Sequence, residues 1–172
     1  PAIQNIEKRL SRPFEHGYSL GSDDFGRDIF SRILHGARIS LVIGALSIGI
    51  SLLFGVTIGL FSGYYGGVLD MIMMRVIDIM LAFPYILLTI VIVATLGPSL
   101  RNAMIAIGIV GIPSFARVVR ASVLAEKESD YIQAERSIGV SNLELMFGSI
   151  LPNCLAPIIV QATLRYAGAI LS

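Results

Sequence analysis

The chain has 172 residues, 55% hydrophobic and only 15% charged, with a mean hydropathy of +0.78 and a net charge of +1. Soluble domains run at about 45–50% apolar and about 25% charged, so these figures argue against a water-soluble enzyme and against a disordered chain. The single cysteine (Cys154) excludes a disulfide scaffold, His16 and His35 leave too few ligands for a metal cluster, and the near-zero charge offers no field for nucleic acid.

Positions 1–38 are polar, mixed in charge, and lack an apolar core of signal-peptide type. Asp23, Asp24 and Asp28 near His16 fit no EF-hand spacing, and Gly21 and Gly26 read as turns, so capping is their expected role. Residue 1 is Pro1 rather than Met, and Ser172 falls inside an apolar stretch, so a longer parent chain is expected.

Uncharged runs then define the architecture, because a membrane helix needs about 20 apolar residues to cross roughly 30 Å of hydrocarbon. The first, 39–61, is closed by Ser62-Gly63-Tyr64-Tyr65-Gly66-Gly67. It carries Gly44, Ser47, Gly49, Ser51, Gly55 and Gly59, small residues that let helix backbones approach closely. The second, 79–100, contains Pro84, expected to kink it, and ends at Gly97-Pro98. Asp78, three residues after Arg75, stands where this helix is expected to begin, so its carboxylate suits either the positive dipole end or a transport path. The third, 102–116, is short and holds Pro113. It spans only if Arg117 and Arg120 snorkel, extending it to Val119. The fourth, 145–164, contains Pro152 and Pro157. The expected spans are 39–61, 77–97, 102–119 and 145–170, the last truncated.

A charged segment, 117–144, lies between the last two spans. Asp130 is the expected N-cap of a short helix from Tyr131 to Ile138, with Gln133 three residues on. Gly139 is its expected stop. Ser141 and Glu144 have capping-box spacing, flanked by Val140 and Leu145 at the positions of a hydrophobic staple. Two helix arms capped within three residues make a rigid elbow, more than a connector requires.

Gln133-Ala134-Glu135-Arg136-Ser137-Ile138-Gly139, followed by Ile150-Leu151-Pro152, resembles the "EAA" loop of bacterial ABC-importer permeases. That pattern reads Glu-Ala-Ala, three residues, Gly, nine residues, Ile-x-Leu-Pro. Ala134, Gly139, Leu151 and Pro152 match, whereas Gln133 replaces Glu, Glu135 the second Ala, and Ser149 the Ile. Leu20-Gly21-Ser22-Asp23-Asp24-Phe25-Gly26-Arg27-Asp28, Ser31-Arg32 and Gly36-Ala37-Arg38-Ile39-Ser40-Leu41 resemble the C-type permeases of the dipeptide/oligopeptide/nickel branch. Arg75-x-x-Asp78 with Ala82-Phe83-Pro84 resembles it too, although Tyr18-Ser19 replaces the usual His-Pro.

The resemblance implies an all-α polytopic membrane protein, the type I, MetI-like helix bundle of an ABC-importer permease. Residues 1–38 would be extracytoplasmic or interfacial, residues 39–172 the transmembrane domain, and 120–144 a cytoplasmic coupling loop. It further implies half of a pore for di- or oligopeptides, in a bacterial inner membrane, crossed several times. The partners would be membrane lipid, a second permease subunit, cytoplasmic ABC ATPase subunits and an extracytoplasmic substrate-binding protein. Tyr131, Ala134, Glu135, Ser137, Ile138, Gly139, Val140 and Ser141 would couple to the ATPase. Asp78, Pro84 and Pro152 would be structural or line the path. No cofactor, metal or nucleic acid is implied, and a nickel or other metal-chelate cargo stays open.

Charge alone orients the chain the other way. Basic residues are more numerous on the side of positions 1–38, Arg101 and Arg165 than on the hairpin's side. An ATPase-docking element must be cytoplasmic, so the resemblance decides the expected orientation. There is no Walker motif for ATP hydrolysis and no Gly-x-Ser-x-Gly for an intramembrane protease. A secondary transporter would show more ionisable groups within the spans than Asp78.

Overall fold

A computed structural model describes residue 5 and residues 8–15 and 18–171, so His16 lies outside the described residues. The chain divides into two compact units, Pro1–Ile43 and Gly44–Ser172.

The first unit is held by short-range polar contacts. Ser22 and Asp28 form an isolated bridge. Asp28 caps the first helix, accepting from the backbone N–H groups of Phe30 and Ser31 at 3.2 Å each. Asp23 accepts from the N–H groups of Phe25 and Arg27 at 2.9 Å and pairs with the guanidinium groups of Arg27 and Arg32. Desolvation pushes its carboxyl upward, but these donors outweigh it and hold it at about 2. Asp23 and Asp28 therefore do the turn and capping work that their spacing suggests.

Helix α1, Ile29–Tyr65, begins ten residues before the expected span at 39 and ends four after it. Within the second unit it runs parallel to α4, Leu100–Glu126. The Ser47 hydroxyl donates to the Met104 carbonyl at 3.0 Å and the Ser51 hydroxyl to the Gly108 carbonyl at 2.6 Å. Farther along, Gly55 lies on Phe115, Gly59 on Ala116 and Val119, and Gly63 on Val123. Gly44, Ser47, Ser51, Gly55, Gly59 and Gly63 are all buried, which makes the small-residue stripe a helix–helix contact. Gly49 is exposed and off that face. Only Gly66 and Gly67, with φ of 65° and 57°, turn the chain. Ser62 to Tyr64 are buried helix instead of the expected turn.

The second span is where the structure departs most from the sequence. Helix α2, Gly67–Leu81, and α3, Tyr85–Leu96, meet at a 92° bend. Pro84 does not kink a continuous helix over 77–97; it is the N-cap of α3, since its ring blocks continuation and disfavours helix at Phe83. The α3 sequence is apolar all round and none of its residues is buried in this chain, as suits a lipid or subunit contact. Ser99 caps α4, accepting from Asn102 N–H at 3.1 Å.

The expected third span, 102–119, is also longer than its charge-free run. Helix α4 continues through Pro113 to Glu126, so the first residues of the expected 120–144 loop are helical. Its arginines are ion-paired rather than snorkelling alone. Arg120 grips both oxygens of Asp70 at 2.6 Å, fastening α4 to the first turn of α2, and Arg117 binds Asp78 at 2.7 Å. The last span is likewise bent, by 59° between residues 142–153 and α8, Leu155–Leu171.

Candidate functional site

The hairpin connecting α4 to the last span sits at the shared end of α1 and α4. Its first arm, α5, is Asp130–Ser137. The N-cap is Ser129 and not Asp130, which lies in the first turn with its charge on the positive dipole end. Gln133 reaches back to the Glu128 carbonyl at 3.2 Å. The stop matches its signal: Gly139 has φ 85°, its N–H donates to Arg136 O, and Val140 N–H donates to Glu135 O. That pair of bonds is the Schellman arrangement, closing orphan carbonyls of the helix end. The second arm, α6 (Asn142–Glu144), starts at Ser141, whose hydroxyl accepts from Glu144 N–H at 3.3 Å.

One feature of the second arm has no signal in the spacing. Leu145–Ile150 is a π-helical stretch, followed by α7, Leu151–Asn153, with Pro152 in its first turn. Insertions of this kind are frequent at functional positions. Here the wider turn spares the Pro152 ring a clash with the preceding carbonyls, so Pro152 is accommodated without breaking the arm.

The elbow is fixed to the bundle by buried apolar groups. Ile132, Leu145, Met146 and Ile150 share one cluster with Leu60, Tyr64, Val119 and Val123, and Val140 packs against it. Burying four side chains of this size contributes roughly 1.5–3 kcal/mol each before the entropy of ordering is counted. Polar ties reinforce the anchor. The Tyr64 hydroxyl donates to Asn142 Oδ1 at 2.7 Å, Lys127 Nζ donates to the Gly63 carbonyl at 3.0 Å, and the Arg136 guanidinium lies 5.9 Å over the Tyr64 ring.

The residues expected to form the coupling surface therefore divide. Ala134, Ser137, Ile138, Gly139 and Ser141 are exposed. Glu135 and Val140 are half-buried, and Tyr131, although 40% exposed, is tied back by its hydroxyl. Tyr131 donates to the Glu126 carboxylate and accepts from Asn153 Nδ2 at 2.9 Å. Burial and then that carboxylate raise its phenol above the ordinary value and keep it a donor. Glu135 accepts from the Ser149 hydroxyl at 2.6 Å. These are two of the positions at which the chain departs from the importer-loop pattern, and the departures are partners of each other. Glu135→Ala and Ser149→Ala are each expected to lower the stability of the assembled protein by about 1 kcal/mol, with the double variant costing little more than either single one. Thermal unfolding of the four members of that cycle checks it; strictly additive losses would show the contact to be incidental.

The exposed tip carries two large apolar groups that no spacing signal pairs. Ile138 is 81% exposed and Leu143, across the elbow, 59%. The remaining candidates lie elsewhere. Asp78 stands in the last turn of α2 and not at a helix start, so the dipole argument for it fails. Its carboxylate is held by Arg117 instead. Pro84 stands at the bend between α2 and α3, and Pro152 in the first turn of α7 after the π stretch.

Comparison with known proteins gives consistent similarities. The profile described as "Binding-protein-dependent transport system inner membrane component" matches residues 55–172. The chain is 54% identical over 171 residues to a dipeptide transport system permease protein of Alkalihalophilus pseudofirmus, covering 99% of this chain and 56% of that protein. It is 55% identical over 176 residues to a protein of the same description from Haemophilus influenzae, covering 99% and 60%. A glutathione transport system permease protein of Pectobacterium atrosepticum is 42% identical over 164 residues, 95% of this chain and 54% of that one. The chain thus spans little more than half the length of these relatives. In three dimensions it is similar to a methionine ABC transporter in an inward-facing conformation, with a TM-score of 0.69 and 20% identity over 80% of this chain and 69% of that one.

Proposed function

The chain belongs to the binding-protein-dependent transport system inner membrane components, and from that premise we propose that it forms half of the pore of an ATP-driven importer of di- or oligopeptides. Its hairpin, residues 130–141, is the element that receives force from a cytoplasmic ATPase. The observation that carries this is the elbow itself: capped on both arms, rooted in the bundle core, and bare at an apolar tip.

A lever must not absorb the displacement it transmits. The Schellman stop, the Ser141 cap and the Ile132–Leu145–Met146 anchor supply stiffness, while Ile138 and Leu143 offer the apolar anchors that protein interfaces bury. Closure of two ATPase subunits on ATP would draw the elbow sideways. Because it shares a core with the ends of α1 and α4, those helices would move with it. A second permease subunit would complete the pore, and an extracytoplasmic binding protein would deliver the peptide. The names of the dipeptide permease relatives support the cargo. This orientation puts the hairpin in the cytoplasm of a multi-pass inner-membrane protein.

Ile138→Asp and Ala134→Trp, made in the full-length permease, are expected to leave the protein folded but to lose the ATPase subunit on affinity purification. Both variants should also lose ATP-dependent uptake of a labelled dipeptide into proteoliposomes. Retention of the ATPase by both would overturn the docking role, and a wild-type complex that moves a nickel chelate but no dipeptide would overturn the cargo.

A further inference from the structure

Arg165 ends the uncharged run 145–164 but lies inside the expected span 145–170, and helix α8 continues past it to Leu171. Its guanidinium donates to the Ser114 hydroxyl of α4. Ser114 is near the middle of α4, which runs from Leu100 to Glu126. At 1.5 Å per residue it stands roughly 21 Å from one end and roughly 18 Å from the other. Ser114 also falls within the charge-free run 102–116, so the guanidinium meets it inside the expected span 102–119.

Among the described residues, none of the ion pairs includes Arg165. The other arginines that hold helices together, Arg117 and Arg120, each have an aspartate. A lone hydroxyl occupies little of a guanidinium, which has five donors in a planar fork. Arg165 also lines an open cleft of about 210 Å³, together with Ser47, Ser51, Tyr85 and Gly111. Ionisable groups within a span are costly, and they face the bundle interior or a water-filled cavity when they persist.

We propose that Arg165 binds the C-terminal carboxylate of the peptide as it passes through the bundle, with Ser114 holding the guanidinium toward the cleft. This rests on the reading of the chain as a peptide permease. A carboxylate is the anion of choice because it matches one guanidinium edge bidentately, and every unmodified peptide carries one.

The test compares a dipeptide with the same dipeptide as its C-terminal amide. Uptake of both is measured in proteoliposomes holding the full-length complex with its ATPase and binding protein. Any preference of the binding protein is common to wild type and variant, so the ratio isolates the permease. Wild type is expected to favour the free acid, and Arg165→Gln to reduce that preference at least roughly tenfold, the scale of losing a hydrogen bond to a charged group. An unchanged ratio in Arg165→Gln overturns the assignment, whether Arg165 then serves an acid on a neighbouring subunit or none. If that variant does not assemble, wild type decides. A dipeptide with a photoreactive C-terminal side chain should label Tyr85 or Leu164, which share the cleft, and labelling confined to other regions overturns it. A wild-type complex that carries no dipeptide overturns the peptide reading instead, a different result from dipeptide uptake without discrimination.

Discussion

Gly139→Val is expected to separate ATP hydrolysis from uptake. At φ 85° the residue lies in the left-handed region, where a β-branched side chain is strained. Nothing lies within 4 Å of where its Cβ would stand, so the cost is one of backbone conformation and not of crowding. The local penalty is at least about 1 kcal/mol. Relaxing it means abandoning the Schellman bonds to Arg136 and Glu135, which set the angle between the two arms. The altered elbow should still carry Ile138 on its surface, so residual ATPase binding can persist while transport is lost. Gly139→Asn provides the control, because asparagine enters this conformation far more readily. Reconstituted complexes should show near-normal transport for the Asn variant and little for the Val variant. Normal peptide-stimulated hydrolysis and uptake with Gly139→Val would remove the lever from the mechanism.

The second large effect is expected at Gly59, and its cause is the opposite one. A Cβ there would stand 2.6 Å from the Ala116 carbonyl oxygen, 2.7 Å from Val119 Cβ and 2.9 Å from Arg120 N. Two of these neighbours are backbone of α4 and cannot rotate away. Overpacking of this kind costs typically about 1–3 kcal/mol and more where backbone must part. Prising α1 from α4 at this level would also disturb Arg120 and its grip on Asp70. Gly59→Leu should therefore give aggregated or unassembled protein on size-exclusion chromatography. Gly49→Leu, on the same helix with open space around it, should elute as wild type. Equal behaviour of the two variants would show that the stripe is not packed as described.

The elements most legible in the sequence were those set by local chemistry. Gly139 as a stop, Ser141 as a cap, the small face from Gly44 to Gly59 and the turn at Gly97 follow from what one residue does to its own backbone or from helical spacing. Spacing points to Asp130 as the N-cap of α5, one residue from the actual cap Ser129, because both are good cap formers and spacing does not rank them. Asp78 departs from its expected place for a related reason. Its place in the last turn depends on where α2 begins, and Gly66-Gly67 starts that helix earlier than the charge-free run suggests.

Composition and charge-free length by themselves determined that this is a helical membrane protein, since hydrocarbon admits only segments that satisfy their own backbone. Local capping signals determined that a stiff elbow interrupts it. Tertiary structure alone decided which groups meet: Glu135 with Ser149, Asp70 with Arg120, Asp78 with Arg117, and Arg165 with Ser114. Three of these four pairs join residues 39 to 51 positions apart. Periodicity sorts each helix into faces, but only the packing of one helix on another brings a given pair of side chains to the same height.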